Sequence, residues 1–267
     1  MHLRSVTDHL RPSLDWLTNV WLSRRFGRQL SKIRISSNWE RIYHVHVPKT
    51  GGTSINQEFL SLGGEDGALV YAQLRRRRGR RFLRSGNYIF VGWNVSLIEA
   101  GHYHFGFSHS PLHRLNLPKN TFAFTCLRDP VERTISYYRM LLDHVAGVRH
   151  NPAIEKEVSW LGNSFRDFLG NASDERVLAQ LLMFDGMLDV KSALENLARC
   201  EEVLFTDRLA TDLPSLGNRL GLSLRNRHTR KGITNPRLGS GDLAALKERI
   251  RPELEFWEAA RKDRNRS

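Results

Sequence analysis

The chain has 267 residues, 40% of them hydrophobic, with 41 Lys and Arg against 28 Asp and Glu and a formal net charge of +13. That content supports a substantial core, and its two cysteines, Cys126 and Cys200, exclude a disulfide-dense secreted scaffold. The positive field favours anionic partners, whereas no zinc-finger spacing, aromatic RNP strand or homeodomain pattern points to nucleic acid.

No stretch approaches the roughly 18 apolar residues of a membrane span. Arg4, Asp8, His9 and Arg11 break up any signal-peptide core. A cytoplasmic enzyme is expected, with membrane association left to its N-terminal segment. There, Leu10, Leu14, Leu17 and Trp21 fall at near-helical spacing among Arg24, Arg25, Arg28 and Lys32. The pattern predicts a basic amphipathic helix or helix pair over 10–35, a candidate for peripheral contact with anionic lipid. Residues 1–38 therefore read as an extension, and 39–267, without a hinge or an internal repeat, as one domain.

Further along, 41–47 reads as a strand and 53–62 as a helix. Short strands are predicted at 88–93 and around 97–102. The run 121–127 is the clearest buried strand, with Cys126 as a small buried hydrophobe, and 130–144 the clearest helix. The segment 152–199 reads as mostly helical, 202–205 as a last strand and 242–262 as a terminal helix. Such alternation predicts an α/β fold, a central parallel sheet flanked by helices. Ligands in such folds sit beyond the carboxyl ends of the strands.

Two segments carry chemistry. In Val47-Pro48-Lys49-Thr50-Gly51-Gly52-Thr53-Ser54, proline ends the strand and two glycines allow a sharp turn. Thr53 or Ser54 is then expected to cap the next helix, whose N-terminus favours an anion. The lysine precedes the glycines, unlike the nucleotide P-loop, where it follows them. In Thr121–Tyr138 a buried strand delivers Arg128. Asp129, Pro130 and Glu132 then form a helix start of capping-box type. Arg128 and Ser136 are placed to hold one phosphate, with Arg133 as a helper.

At these residues the sequence resembles the PAPS-dependent (3′-phosphoadenosine 5′-phosphosulfate) carbohydrate sulfotransferases, in particular the branch of heparan sulfate 2-O-sulfotransferase and its bacterial relatives. The resemblance covers about 40–262 and implies a P-loop nucleotide-kinase-like fold without a metal. It implies that Lys49, Thr50, Gly51, Gly52, Thr53 and Ser54 hold the 5′-phosphosulfate, Lys49 touching the bridging oxygen. Arg128 and Ser136 would hold the 3′-phosphate. Arg227-His228-Thr229-Arg230-Lys231-Gly232 resembles the family's basic closing loop, so Arg230, Lys231 and Gly232 are expected cofactor contacts.

Transfer to a hydroxyl needs a base titrating near neutrality. Gly101-His102-Tyr103-His104, at the end of the strand expected around 97–102, is similar to the family's Gly-His segment. His102 is the expected base, His104 the second and Glu99 a reserve. Without clustered Cys or acidic ligands the His-x-His pair does not read as a metal site. His44 and His46 alternate along the first strand, which suits sheet or core roles. The expected acceptor is a saccharide or glycolipid, which the Arg75–Arg81 run would recruit if it is anionic. The competing readings are a phosphoryl-transfer enzyme, which lacks a convincing magnesium acid here, and a non-enzymatic polyanion-binding module.

Overall fold

The computed structural model describes residues 38–77, 81–148, 154–225, 236 and 238–264, with 17, 20, 21, 24 and 35. Most of the predicted 10–35 helix lies outside the described residues, as do Arg78–Arg80 and Arg230, Lys231 and Gly232.

The chain runs β1 (Arg41–Val45), α1 (Gly52–Leu60), α2 (Gly67–Arg76), β2 (Phe82–Ser85), β3 (Tyr88–Gly92) and α3 (Val95–Ala100). It continues through β4 (Phe105–Ser108), β5 (Thr121–Leu127) and α4 (Pro130–Val145). A helical stretch follows, α5 (Glu155–Val158), α6 (Phe165–Asn171), α7 (Asp174–Val177), α8 (Ala179–Phe184) and α9 (Val190–Leu197). Last come β6 (Glu202–Phe205), α10 (Leu209–Leu220), α11 (Ser240–Arg249) and α12 (Arg251–Arg264). The six strands form one sheet in the order β2-β3-β4-β1-β5-β6. It is parallel throughout except for β2, which pairs antiparallel to β3 through the turn at Gly86 and Asn87. This is the α/β architecture the alternation predicts.

Side-chain alternation along β1 explains how the sheet is covered. Tyr43, Val45 and Val47 face a core shared with α4, α6, α8, α9 and α12. Ile42 faces the opposite core, with Phe59, Val70 and Leu213 from α1, α2 and α10. His44 shares that second side, its ring stacked on Phe124 at 4.7 Å. Period two in the strands thus sends alternate residues into two apolar layers.

One predicted element is corrected. The segment around 97–102 is not a strand but helix α3. Asn94 caps it by accepting from the Leu97 N–H at 3.1 Å, and Gly101 ends it at φ 76°. The strand comes later, at Phe105–Ser108, where β4 pairs with β1 from Ile42↔Phe105 to Val45↔Ser108. The predicted terminal helix is two helices, α11 and α12, meeting at Ile250.

Candidate active site

The carboxyl ends of β1, β4, β5 and β6 point to one edge of the sheet, and both predicted phosphate segments lie there. After β1 the chain turns through Lys49 and Gly51, both left-handed at φ 71° and 80°. Gly51, not Thr53 or Ser54, is the N-cap of α1, with no side-chain cap. The left-handed turn starts the helix at Gly52, ahead of both hydroxyl residues. The Ser54 and Ile55 N–H groups bond to the Gly51 carbonyl at 3.0 and 3.3 Å. First-turn N–H groups such as those of Gly52 and Thr53 have no acceptor within a helix. Thr50, fully buried, donates its hydroxyl to the Val47 carbonyl at 3.0 Å and pins the base of the loop.

Gly52 is required by a neighbour. A Cβ there would lie 2.1 Å from His46 Cδ2 and 2.3 Å from its Nε2. His46 is held in turn by Asn56 on α1. The amide NH2 of Asn56 donates to His46 Nδ1 at 3.1 Å, and its oxygen accepts from His44 Nδ1 at 2.7 Å. With Nδ1 an acceptor, neutral His46 carries its proton on Nε2. Burial holds both histidines neutral, His44 at about 4 and His46 well below its ordinary value.

Arg128, one residue past β5, reaches back to the loop, its Nη1 donating to the Lys49 carbonyl at 3.5 Å. Its Nη2 pairs with Glu132 at 3.0 Å. Asp129 caps α4 by accepting from the Glu132 N–H at 2.9 Å. The Glu132 carboxylate pairs with Arg128 instead of reaching back to the Asp129 N–H, so only the Asp129 half of the expected capping box forms. Ser136 stands two turns into the same helix, half-buried. Arg133 is no helper at this edge. It is 1% exposed, its Nε donates to Glu253 at 2.8 Å, and its Nη2 bonds the Val177 carbonyl.

The structure does not bring His102 and His104 to this edge. Both precede Phe105, so they stand at the amino end of β4, roughly 13 Å from its other end at a strand's rise per residue. His104 is fully buried, its Nδ1 accepting from the Ile89 N–H at 2.9 Å. His102 is held below its ordinary pKa by burial and then by the Arg41 guanidinium. Glu99 accepts from the Asn116 N–H at 2.9 Å. A strand around 97–102 would place these groups at the carboxyl edge, and helix α3 in its place does not.

A different histidine occupies that edge. His109 follows the last residue of β4, in a turn tied by Ser108, whose hydroxyl accepts from the Ser110 N–H at 3.0 Å and meets the Tyr43 hydroxyl at 2.7 Å. Its ring lies 4.2 Å from that of His46. Its Nδ1 is 2.7 Å from the His46 carbonyl, which can only accept, so the proton is on Nδ1 and Nε2 carries the lone pair. His109 is exposed at the surface, yet desolvation by its neighbours lowers its pKa, which the bond to the His46 carbonyl partly offsets. Sequence reasoning missed it, although Phe105 and Phe107 alternate and the next carboxyl end falls at Ser108–His109.

Of the arginine run, Arg75 and Arg76 end α2 and Arg77 is its C-cap, all three exposed, while Arg81 stacks over the Trp93 ring at 5.3 Å. Among the described residues no helix is long and apolar enough to cross a membrane.

The α/β sheet thus brings the glycine turn after β1 and the arginine after β5 to one edge, the layout expected of a nucleotide-dependent transferase. The family comparison agrees: a model of the Sulfotransferase family matches residues 34–199, and the chain belongs to that family. No curated protein matches the chain.

Proposed function

We propose that the chain transfers a sulfuryl group from PAPS to a hydroxyl of a carbohydrate or glycolipid acceptor, with His109 as the base. The observation that carries this is the Arg128 Nη1 contact to the Lys49 carbonyl, which joins the two phosphate segments at one edge. The cradle suits a phosphosulfate: at Gly51 and Gly52 no side chain stands between the ligand and the backbone, and His46 already fills the space a Cβ on Gly52 would need. PAPS, when bound, supplies the sulfuryl group, and its nucleotide carries a 3′-phosphate.

The chain's residues divide the work. Backbone N–H groups at the start of α1 hold the 5′ end, assisted by the helix dipole. Lys49, on its left-handed turn, provides a point charge for the oxygen that leaves sulfur. Arg128 and Ser136 take the 3′-phosphate, a group that a nucleoside triphosphate lacks. His109 Nε2, which carries the lone pair, takes the proton of the acceptor hydroxyl. The resulting imidazolium keeps its Nδ1–H on the His46 carbonyl.

Labelled PAPS offered with a panel of glycans and glycolipids tests the reading. Wild-type enzyme is expected to label at least one acceptor. His109→Asn should lower kcat by about 100-fold or more, the usual weight of a general base, with little change in nucleotide affinity. His102→Asn should stay near wild type. Full activity in His109→Asn would remove the base assignment, and magnesium-dependent ATP turnover without sulfuryl transfer would remove the reaction.

A further inference from the structure

We infer that Gln180 is a positioning residue for Arg128, and that through it the enzyme distinguishes nucleotides with a 3′-phosphate from those without. The inference rests on the assignment of Arg128 to the 3′-phosphate proposed above. Gln180 is fully buried on α8, 52 residues from Arg128 in sequence. Its Oε1 accepts from the Arg128 N–H at 2.8 Å, and its Nε2 donates to the Arg128 carbonyl at 2.9 Å. The side-chain amide thus pairs with both backbone groups of one residue, as a neighbouring strand would. Its orientation is fixed by chemistry, since an N–H only donates and a carbonyl only accepts.

Gln180 is itself anchored. Its Nε2 also lies 3.2 Å from Glu253 Oε1, and its own backbone N–H donates to Glu253 Oε2 at 2.8 Å. The same carboxylate receives Arg133 Nε at 2.8 Å and the Leu181 N–H at 3.3 Å. Every member of this chain is buried up to the Arg128 backbone, and the guanidinium emerges from it at the edge of the sheet. β5 ends at Leu127, so the ladder that holds Thr125, Cys126 and Leu127 against β6 stops one residue short of Arg128. Gln180 continues the backbone pairing there. It fixes where the Arg128 side chain starts, and hence whether its guanidinium can reach both the Lys49 carbonyl and a phosphate.

A merely structural glutamine would affect all nucleotides alike, whereas a positioning role acts on the 3′-phosphate alone. Calorimetry with adenosine 3′,5′-bisphosphate and adenosine 5′-monophosphate separates the two. Wild-type enzyme is expected to prefer the bisphosphate. Gln180→Leu should lose about tenfold of that preference, the weight of one or two lost hydrogen bonds, while the monophosphate binds within about twofold of wild type. Gln180→Glu provides a second test that does not depend on the leucine variant folding. Ionised, it cannot donate to the Arg128 carbonyl; protonated, it can. Relative to wild type at the same pH, its preference should be reduced in alkaline buffer and regained in acid. An unchanged preference in the variants, or equal loss for both nucleotides, would overturn the role of Gln180. A wild-type enzyme without preference would instead overturn the donor assignment, and this inference with it.

Discussion

A Cβ on residue 52 would sit 2.1 Å from His46 Cδ2, a separation no real contact tolerates. The second glycine of the loop therefore answers to a buried imidazole. Gly52→Ala should destabilise by about 1–3 kcal/mol, the range for overpacking a filled site, and should weaken nucleotide binding. His46→Ala in the same chain should restore much of the stability by vacating the space. Urea denaturation of the single and double variants measures the coupling; additive losses would show that the two residues do not compete for one volume. At the other end of the sheet, burial holds His104 at about 4, against an ordinary value near 6.5. Between those values the native state binds fewer protons than the unfolded chain. The contribution of His104 is therefore complete above about pH 6.5 and declines as pH falls toward 4, by ~2 kcal/mol at about pH 5. His104→Gln, able to accept from the Ile89 N–H, should flatten that decline in the urea midpoint. An identical acid slope would show that other groups govern it.

At the scale of elements, the local signals in the sequence were strong where hydrophobic run and cap agreed. The seven-residue run Thr121–Leu127 with Asp129 and Pro130 after it is strand, cap and helix as read, because each step rests on neighbours in sequence. The error at 97–102 arose where two signals conflicted. Val95, Leu97 and Ile98 suit a strand by composition, yet Asn94 and Gly101 are helix boundaries, and the boundaries won. That displacement moves β4 by a few residues and places the expected base, His102, at the amino end of β4, opposite the proposed phosphate edge. The hairpin turn at Gly86-Asn87 was also in the sequence and went unread, so edge strand β2 was missed. Asn56 and Gln180 had no such signal. Each is a buried polar residue within a helix, and its partners lie 10–12 or 52–73 residues away, so only the folded chain brings them together.

Across the whole molecule, the part matched by the family model ends at residue 199, yet the site depends on segments beyond that point. β6 completes the sheet beside β5, and α12 returns Glu253 to Arg133 and Gln180 in the core. The Arg133–Glu253 pair is buried on both sides, at 1% and 0% exposure. Removing one partner strands a charge in the core. Glu253→Gln should therefore cost about 3–5 kcal/mol, and Arg133→Met in the same chain should recover much of it, as read by thermal or urea unfolding. A fragment limited to residues 34–199 lacks both β6 and Glu253 and is expected not to fold cooperatively. The loop after β1 and the arginine after β5 are proposed to grip one 3′-phosphorylated nucleotide, and on this grip the whole functional reading stands. Calorimetric titration of the full chain with adenosine 3′,5′-bisphosphate, with and without a chelator and against ATP, tests it most directly. The expected result is binding that is insensitive to the chelator, is not displaced by ATP, and weakens by about tenfold or more in Arg128→Ala. Absence of binding, or preference for ATP with magnesium, would contradict it.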